Sequence, residues 1–368
     1  MGIQLWADYE NANGRLVAVE DGPVVRFEAE ARRSPRPLWF RFWLSGLPRA
    51  RTFDLVLANA NECLGGVRSF APARPVYRVP AGQWRRCEVA SIDEQAGEFR
   101  FTCPTGLGDV EVAFSNPYNV SDLRAWIAGL PPRVACEELC VSPGGLSVPL
   151  LRVGDAARAR RGVWAIGRQH AGEAPGSWAL QGLVDWLLPE ADTEIALNVV
   201  PMMDIDGVQR GDYGKSAWPH DFWEDWSGES CHHAVAATRA AIDDWAERAP
   251  YDLLLDFHAP LASDGNHAYG IPAPTEELEA ARQRLLKFLG FLTPEECPFD
   301  TAAGNLVRDP ELIARSTEGA QMARHGVLAL CVECSYHRTS AETWTNPASL
   351  RRFGAAVGEA ITQYFMGG

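Results

Sequence analysis

The chain is short of positive charge. Its 368 residues hold 34 Lys and Arg against 48 Asp and Glu, a net charge of −14 and a pI near 5.1. Nucleic acid is therefore excluded as a default partner, because neutralising phosphates takes a basic surface. Also missing is any run near the ~20 apolar residues that span a bilayer, so no membrane partner is expected. The opening residues, Met1 to Glu10, have no basic segment leading into an apolar one and do not read as a secretory signal. The Met-Gly start lacks the Ser/Thr of a myristoylation site. A disulfide framework is absent too: nine scattered cysteines, an odd number, suit free thiols in a reducing compartment. These absences lead us to expect a soluble, cytoplasmic protein. There is no internal repeat and no low-complexity segment. The length suits two domains, and 46% apolar with 22% charged residues is ordinary globular composition.

The front of the chain reads as β structure. Leu38, Phe40, Phe42 and Leu44 alternate with Trp39, Arg41, Trp43 and Ser45, and the alternation returns at Phe53, Leu55, Leu57 and at Val110, Val112, Phe114. Period-two patterning with Gly/Pro-rich joints predicts an antiparallel sheet or sandwich. Trp39 and Trp43 then cover the far face of their strand, against a second sheet or the next domain. A boundary is expected at Asn116, giving a β-sandwich-like domain over 1–116 and a second domain over 117–368. Ser121 is the expected N-cap of a helix that Pro131-Pro132 ends. Beyond it strands and helices alternate, as in an α/β fold with a mixed sheet flanked by helices. Helices are expected after residue 173, from Cys231 to Arg248 and from Thr275 to Leu289, with His232 and His233 at the surface.

Three apolar runs end on side chains that bind metals. Gly162 to Gly167 leads into Arg168-Gln169-His170-Ala171-Gly172-Glu173, Tyr251 to Phe257 ends on His258, and Gly326 to Val332 ends on Glu333. In α/β proteins the crevice beyond the strand ends is where ligands bind. His170 and Glu173, three apart at such a turn, can hold a divalent metal, usually zinc, with a third ligand from elsewhere. Cys331 and Cys334 spell CxxC, but residues three apart on a strand face opposite ways, so they do not form a zinc knuckle or redox pair. Cys331 and Glu333 share a face.

The run His170-Ala-Gly-Glu-Ala-Pro-Gly-Ser-Trp178 resembles the zinc signature of the zinc carboxypeptidases, in the branch called cytosolic carboxypeptidases. The resemblance extends through Val200 to Val208, His258 and Val332 to Ser335, and in the front half through Leu38 to Phe42 and Phe114 to Leu123. It implies a zinc carboxypeptidase-like catalytic domain behind a small β-sandwich, with one Zn2+ per chain. It makes His170, Glu173 and His258 the ligands and Glu333 the general base that takes a proton from metal-activated water as a C-terminal peptide bond is hydrolysed. Asp256 is expected to orient a ligand from behind. The family also carries an oxyanion arginine and an Asn-Arg pair for the substrate carboxylate. Here those positions fall on Gly214 and on Trp223-Glu224.

That departure leaves three readings. The first is a carboxypeptidase with a rebuilt grip, in which Lys215 replaces the oxyanion arginine, or Arg210, Arg308 or Arg338 reaches the pocket beside Trp223 and Glu224. The second is a zinc amidohydrolase or deacylase acting on a small amide, or a peptidase that recognises a cationic group through Glu224 or Asp225. The third is a metal-binding protein without catalysis. Peptide or small amide is the expected substrate.

Overall fold

The computed structural model describes residues 2–21, 24–47, 52–104, 108–188, 194–302, 307–338 and 343–367. The front half forms two five-stranded sheets. One has the order β1 (Gln4–Trp6), β4 (Arg41–Ser45), β10 (Val110–Ala113), β6 (Val76–Arg78), β7 (Arg85–Arg86). The other runs β2 (Arg15–Glu20), β3 (Val24–Glu28), β5 (Phe53–Leu57), β9 (Glu98–Cys103), β8 (Ala90–Asp93). Pairing is antiparallel except between β3 and β5, which lie parallel. A short helix α1 (Gly66–Ser69) joins two of the strands. The aromatic residues of the alternating stretches meet between the sheets: Phe27 packs edge-on to Phe40 and Phe42, and Phe40 stacks on Phe101. The strand expected from Leu38 begins only at Arg41.

The second half opens with α2 (Val120–Ala128). Its N-cap is Asn119, not Ser121: the Asp122 carboxylate accepts the Asn119 backbone N–H at 2.8 Å, closing a capping box. Ser121 instead gives its N–H and hydroxyl to Glu10. An eight-stranded sheet follows, in the order β11 (Ala135–Val141), β12 (Ser147–Val153), β14 (Ile195–Val200), β13 (Arg161–Gly167), β15 (Leu253–His258), β18 (Leu328–Glu333), β16 (Asn266–Ala268), β17 (Phe299–Asp300). The central strands β14, β13, β15 and β18 are parallel, and antiparallel pairs flank them. The sheet is mixed, as expected.

Alternation along the central strands sorts side chains to two faces. Val163, Ala165, Leu253, Leu255, Leu328 and Leu330 join one apolar cluster with α3 (Ala174–Leu187), α6 (Glu276–Leu292) and α9 (Pro347–Met366). Trp164, Ile166, Leu254 and Ala329 face the other way. There α5 (His233–Ala246) lies against β11, and α8 (Thr317–His325) lies against β15 and β18. The period of two also puts Asp256, His258, Cys331 and Glu333 on this second face. The apolar cluster behind them runs without a break into the front sheets, through Phe114, Tyr118, Met203 and Tyr336. Trp39 belongs to it. Its indole donates to the Asn11 carbonyl at 2.9 Å, and its Cβ lies 3.0 Å from where a side chain on Gly172 would start.

Candidate active site

Strand ends and one helix start bring the donors together. His170 sits in the turn after β13, Glu173 is the residue before α3, and His258 ends β15. Their ligand atoms lie within 4.8 Å of one another, and all three residues are buried. The two Nδ1 atoms are 3.1 Å apart. The Glu173 carboxylate reaches His170 Nδ1 at 3.0 Å and His258 Nδ1 at 2.8 Å. Nitrogens held at ~2.0–2.1 Å by a tetrahedral ion stand ~3.4 Å apart, so the spacing suits one zinc.

Each imidazole also has a carboxylate behind it. Asp256 Oδ2 lies 2.9 Å from His258 Nε2, and Asp221 Oδ2 lies 3.3 Å from His170 Nε2. This arrangement aims the Nδ1 lone pairs at a common centre. Asp256 is itself held by the Gln169 amide at 2.5 Å, and Gln169 in turn accepts the Trp226 indole N–H at 2.8 Å. Burial works to strip both rings of a proton, but the facing carboxylates outweigh it and favour the charged rings. The same carboxylates would favour a metal ion. Asp221 shows the pull from its own side: burial alone would raise it, yet His170 and the Ser216 N–H hold it at about 2.

The turn is fixed from behind by Arg168. This buried residue takes a left-handed backbone (φ 57°), and its guanidinium donates to the carbonyls of Ala171 and Tyr118 and to Ser177 Oγ. The wider loop from 211 to 226, and the helix α4 (Ile205–Arg210) before it, are tied to the front half of the chain. Ser34 Oγ accepts the Gly214 N–H at 2.7 Å, Asn13 donates to the Gly211 carbonyl at 2.9 Å, and Asn11 donates to the Val208 carbonyl at 3.1 Å.

A cavity of about 180 Å³ adjoins the donors, lined by Lys215, Trp223, Glu224, Tyr269 and Glu333 among others. It opens into a cleft of about 890 Å³ that shares Lys215, Tyr269 and Glu333 and reaches Leu64 of the front half. Glu333 pairs in register with His258 across β15 and β18. Burial pushes its carboxyl above the ordinary range, with Lys215 pulling back and Glu173 adding to the rise. Lys215 Nζ lies 3.6 Å from Glu173 Oε1. Burial works against its ammonium, but Glu173 beside it keeps it protonated.

Not every expected residue comes to this cavity. Trp223 does, with its indole N–H on Glu318 at 2.8 Å. Glu224 does, with Arg315 paired to it at 3.1 Å. Arg308 is exposed and outside the lining. Arg210 is paired with Asp212, and Arg338 lies over the Trp344 ring. Gly214 cannot carry an arginine, because its φ is +94° and a Cβ would meet the Ala171 nitrogen at 2.5 Å. Cys331 lines the cavity while Cys334 joins the apolar cluster on the opposite face, so the two sulfurs do not converge. His233 is exposed, and His232 stacks on Phe222 at 3.9 Å. Sequence reasoning missed the roles of Asp221, Gln169, Glu318 and Arg315.

Comparison with known proteins agrees with this geometry. Residues 121–259 match the zinc carboxypeptidase family model. An uncharacterized protein of Zymomonas mobilis is 24% identical over 78% of this chain and 75% of its own length. Cytosolic carboxypeptidase 2 of Xenopus tropicalis is 26% identical over 47% of this chain, and human cytosolic carboxypeptidase 6 is 27% identical over 72%. The chain spans only 20% and 58% of those two relatives. In fold, it is similar to a metallo-carboxypeptidase from Burkholderia cenocepacia (TM-score 0.88, 20% identity, all of both chains). It is also similar to one from Pseudomonas aeruginosa in complex with (2-guanidinoethylmercapto)succinic acid (TM-score 0.84, 22% identity, 99% of both). Residues 121–259 carry the zinc carboxypeptidase match, the relatives include proteins named cytosolic carboxypeptidases, and the buried His170, Glu173 and His258 could hold a metal ion.

Proposed function

We propose that this protein is a zinc-dependent metallocarboxypeptidase-type hydrolase that cleaves the terminal amide bond of a peptide or small amide. His170, Glu173 and His258 hold the ion and Glu333 is the general base. The observation that carries this reading is the convergence of two Nδ1 atoms and one carboxylate within 3.1 Å, with Glu333 in register beside His258 at the mouth of a cavity.

An ion held by His170, Glu173 and His258 would supply Lewis acidity that lowers the pKa of a water from ~15.7 towards ~7. The chain's own groups do the rest. Glu333, desolvated and raised above the ordinary carboxylate range, is poised to take a proton and return it to the leaving amine. Asp256 and Asp221 keep both imidazoles turned inward. Lys215, at the donor end of the cavity, faces the scissile carbonyl oxygen as negative charge develops on it. The front half of the chain holds the 211–226 loop in place.

Glu333→Gln tests the assignment. Hydrolysis of a peptide and amide panel should fall at least about a hundredfold while zinc stays at one equivalent per chain. Activity within tenfold of wild type would put the base elsewhere. A broad panel left intact by zinc-loaded wild type would favour a metal-binding protein without catalysis.

Glu224 favours a second reading of the substrate, in which the same chemistry serves a small amide or a cationic group.

A further inference from the structure

The charges that line the cavity are unevenly shared. We propose that this site, on the zinc hydrolase reading above, accepts a leaving amine whose end is uncharged or cationic and discriminates against one bearing a free carboxylate, with Glu224 setting the preference.

The cations come first. Among the described residues lining the small cavity there is no arginine, and besides the two imidazole donors the one cationic side chain is Lys215. Its ammonium lies at the donor end, 3.6 Å from Glu173. From there it can meet the oxygen of the scissile carbonyl. It is one point charge, and it cannot also clamp a carboxylate on the far side of the broken bond. A grip on a carboxylate is best made by a guanidinium, whose two parallel N–H groups match the two oxygens. Arginine is this chain's usual cation. Of 34 Lys and Arg, only two are lysine, Lys215 and Lys287. Among the described residues, its lining holds one of the two lysines and no arginine.

The rest of the lining has the opposite character. Trp223, Tyr269 and Leu312 give it apolar and aromatic surface. Glu224 presents a carboxylate there, with Arg315 paired to it and itself outside the lining. That pairing offsets the Glu224 charge, so the wall tolerates a neutral group. The oxygens remain hydrogen-bond acceptors, which suit N–H and ammonium donors and repel a second carboxylate. The rings of Trp223 and Tyr269, 5.8 Å apart and edge-to-face, favour a cation further. The wide cleft adds Asp264 and Asp300 to its lining. An incoming anion therefore passes acidic groups, and among the described residues no guanidinium lines its way, Arg315 being engaged by Glu224.

The test uses matched leaving groups. On zinc-loaded protein, one acyl group is joined in turn to tyrosine, tyrosinamide, tyramine, arginine and agmatine, and kcat/KM is measured for each. The members without a carboxylate should be cleaved at least tenfold better than their acids. Binding of the free amines is read by calorimetry on the same protein, where agmatine should bind at least tenfold more tightly than arginine. Glu224→Gln, which keeps the shape of the wall, should narrow that gap at least threefold. Glu224→Arg should close or reverse it. Acids cleaved or bound as well as their amides and amines would overturn the proposal, as would a gap unchanged in both Glu224 variants at wild-type zinc content. If nothing in the series is cleaved but agmatine still outbinds arginine, the hydrolase reading fails and the pocket preference stands.

Discussion

Around the three donors the side chains hang from strand ends, a turn and a helix start, and a buried carboxylate stands behind each imidazole. Around the substrate cavity the wall is largely loop, residues 211–226, with Leu312 contributed by the short helix α7 (Pro310–Arg315). The first half is tied together by the parallel ladder of β13, β15 and β18. The second is tied to the front half by Ser34 and Asn13, nearly two hundred positions away in sequence. The contrast separates two tasks. On the proposed function, metal chemistry depends on a rigid sheet that tolerates little change. On the same reading, substrate choice depends on a loop whose anchors lie in another part of the molecule, although the same loop supplies Asp221 behind His170.

The strongest test of this separation is on the donor side. His258→Ala should take bound zinc from one equivalent to near none and abolish hydrolysis. Asp256→Asn keeps the shape but weakens the orientation of His258, and metal affinity should fall roughly 10–100-fold. Metal analysis against a chelator series reads both. Zinc retained at full affinity in Asp256→Asn would mean that the ladder alone aims the ring.

Ser34→Ala probes the other half with a smaller expected effect. It leaves the buried Gly214 N–H without its acceptor, which costs about 1–3 kcal/mol. The loop that carries Lys215 should loosen, and kcat/KM should drop several-fold with zinc content unchanged. Loss of zinc in this variant would break the comparison, because it would show that the front half supports the donors too.

The donor half was the legible one in sequence. His170 and Glu173 are neighbours on the chain, and His258 and Glu333 close apolar runs whose period of two fixes their face. The polar groups behind them were not legible. Asp221 reaches His170 across 51 positions, and Gln169 links Asp256 to Trp226, and contacts between distant polar side chains leave no periodic trace. Arg315 was missed and Arg308 expected for the same reason: which arginine on or before the short helix α7 comes near the cavity depends on how that helix packs. The helix cap was within reach. Asn119 and Asp122 have the spacing of a capping box, a stronger signal than a lone serine at 121. The block on an arginine at Gly214 comes from a left-handed backbone against Ala171, and nothing in the local sequence announces it.

Glu318 joins the two halves, and its effect on turnover should be the smallest. It is fully buried on α8, and its carboxylate accepts the indole N–H of Trp223 in the substrate wall. Burial pushes its carboxyl up to about 8 from an ordinary 4.5, and the charge of nearby Asp256 in the donor half adds to the rise. The folded protein therefore keeps a proton that the unfolded chain gives up. Any stabilisation from that proton is complete below about pH 4.5 and is lost as pH climbs towards 8, by at most about 1.4 kcal/mol per unit. Glu318→Gln keeps a carbonyl acceptor for Trp223 and removes the titration. In urea unfolding of zinc-loaded protein, the variant should gain on wild type steadily between pH 5 and 8. Parallel stability curves would mean that Glu318 is ionised in the folded state, with its charge met by the Trp223 N–H and the His258 side of the network.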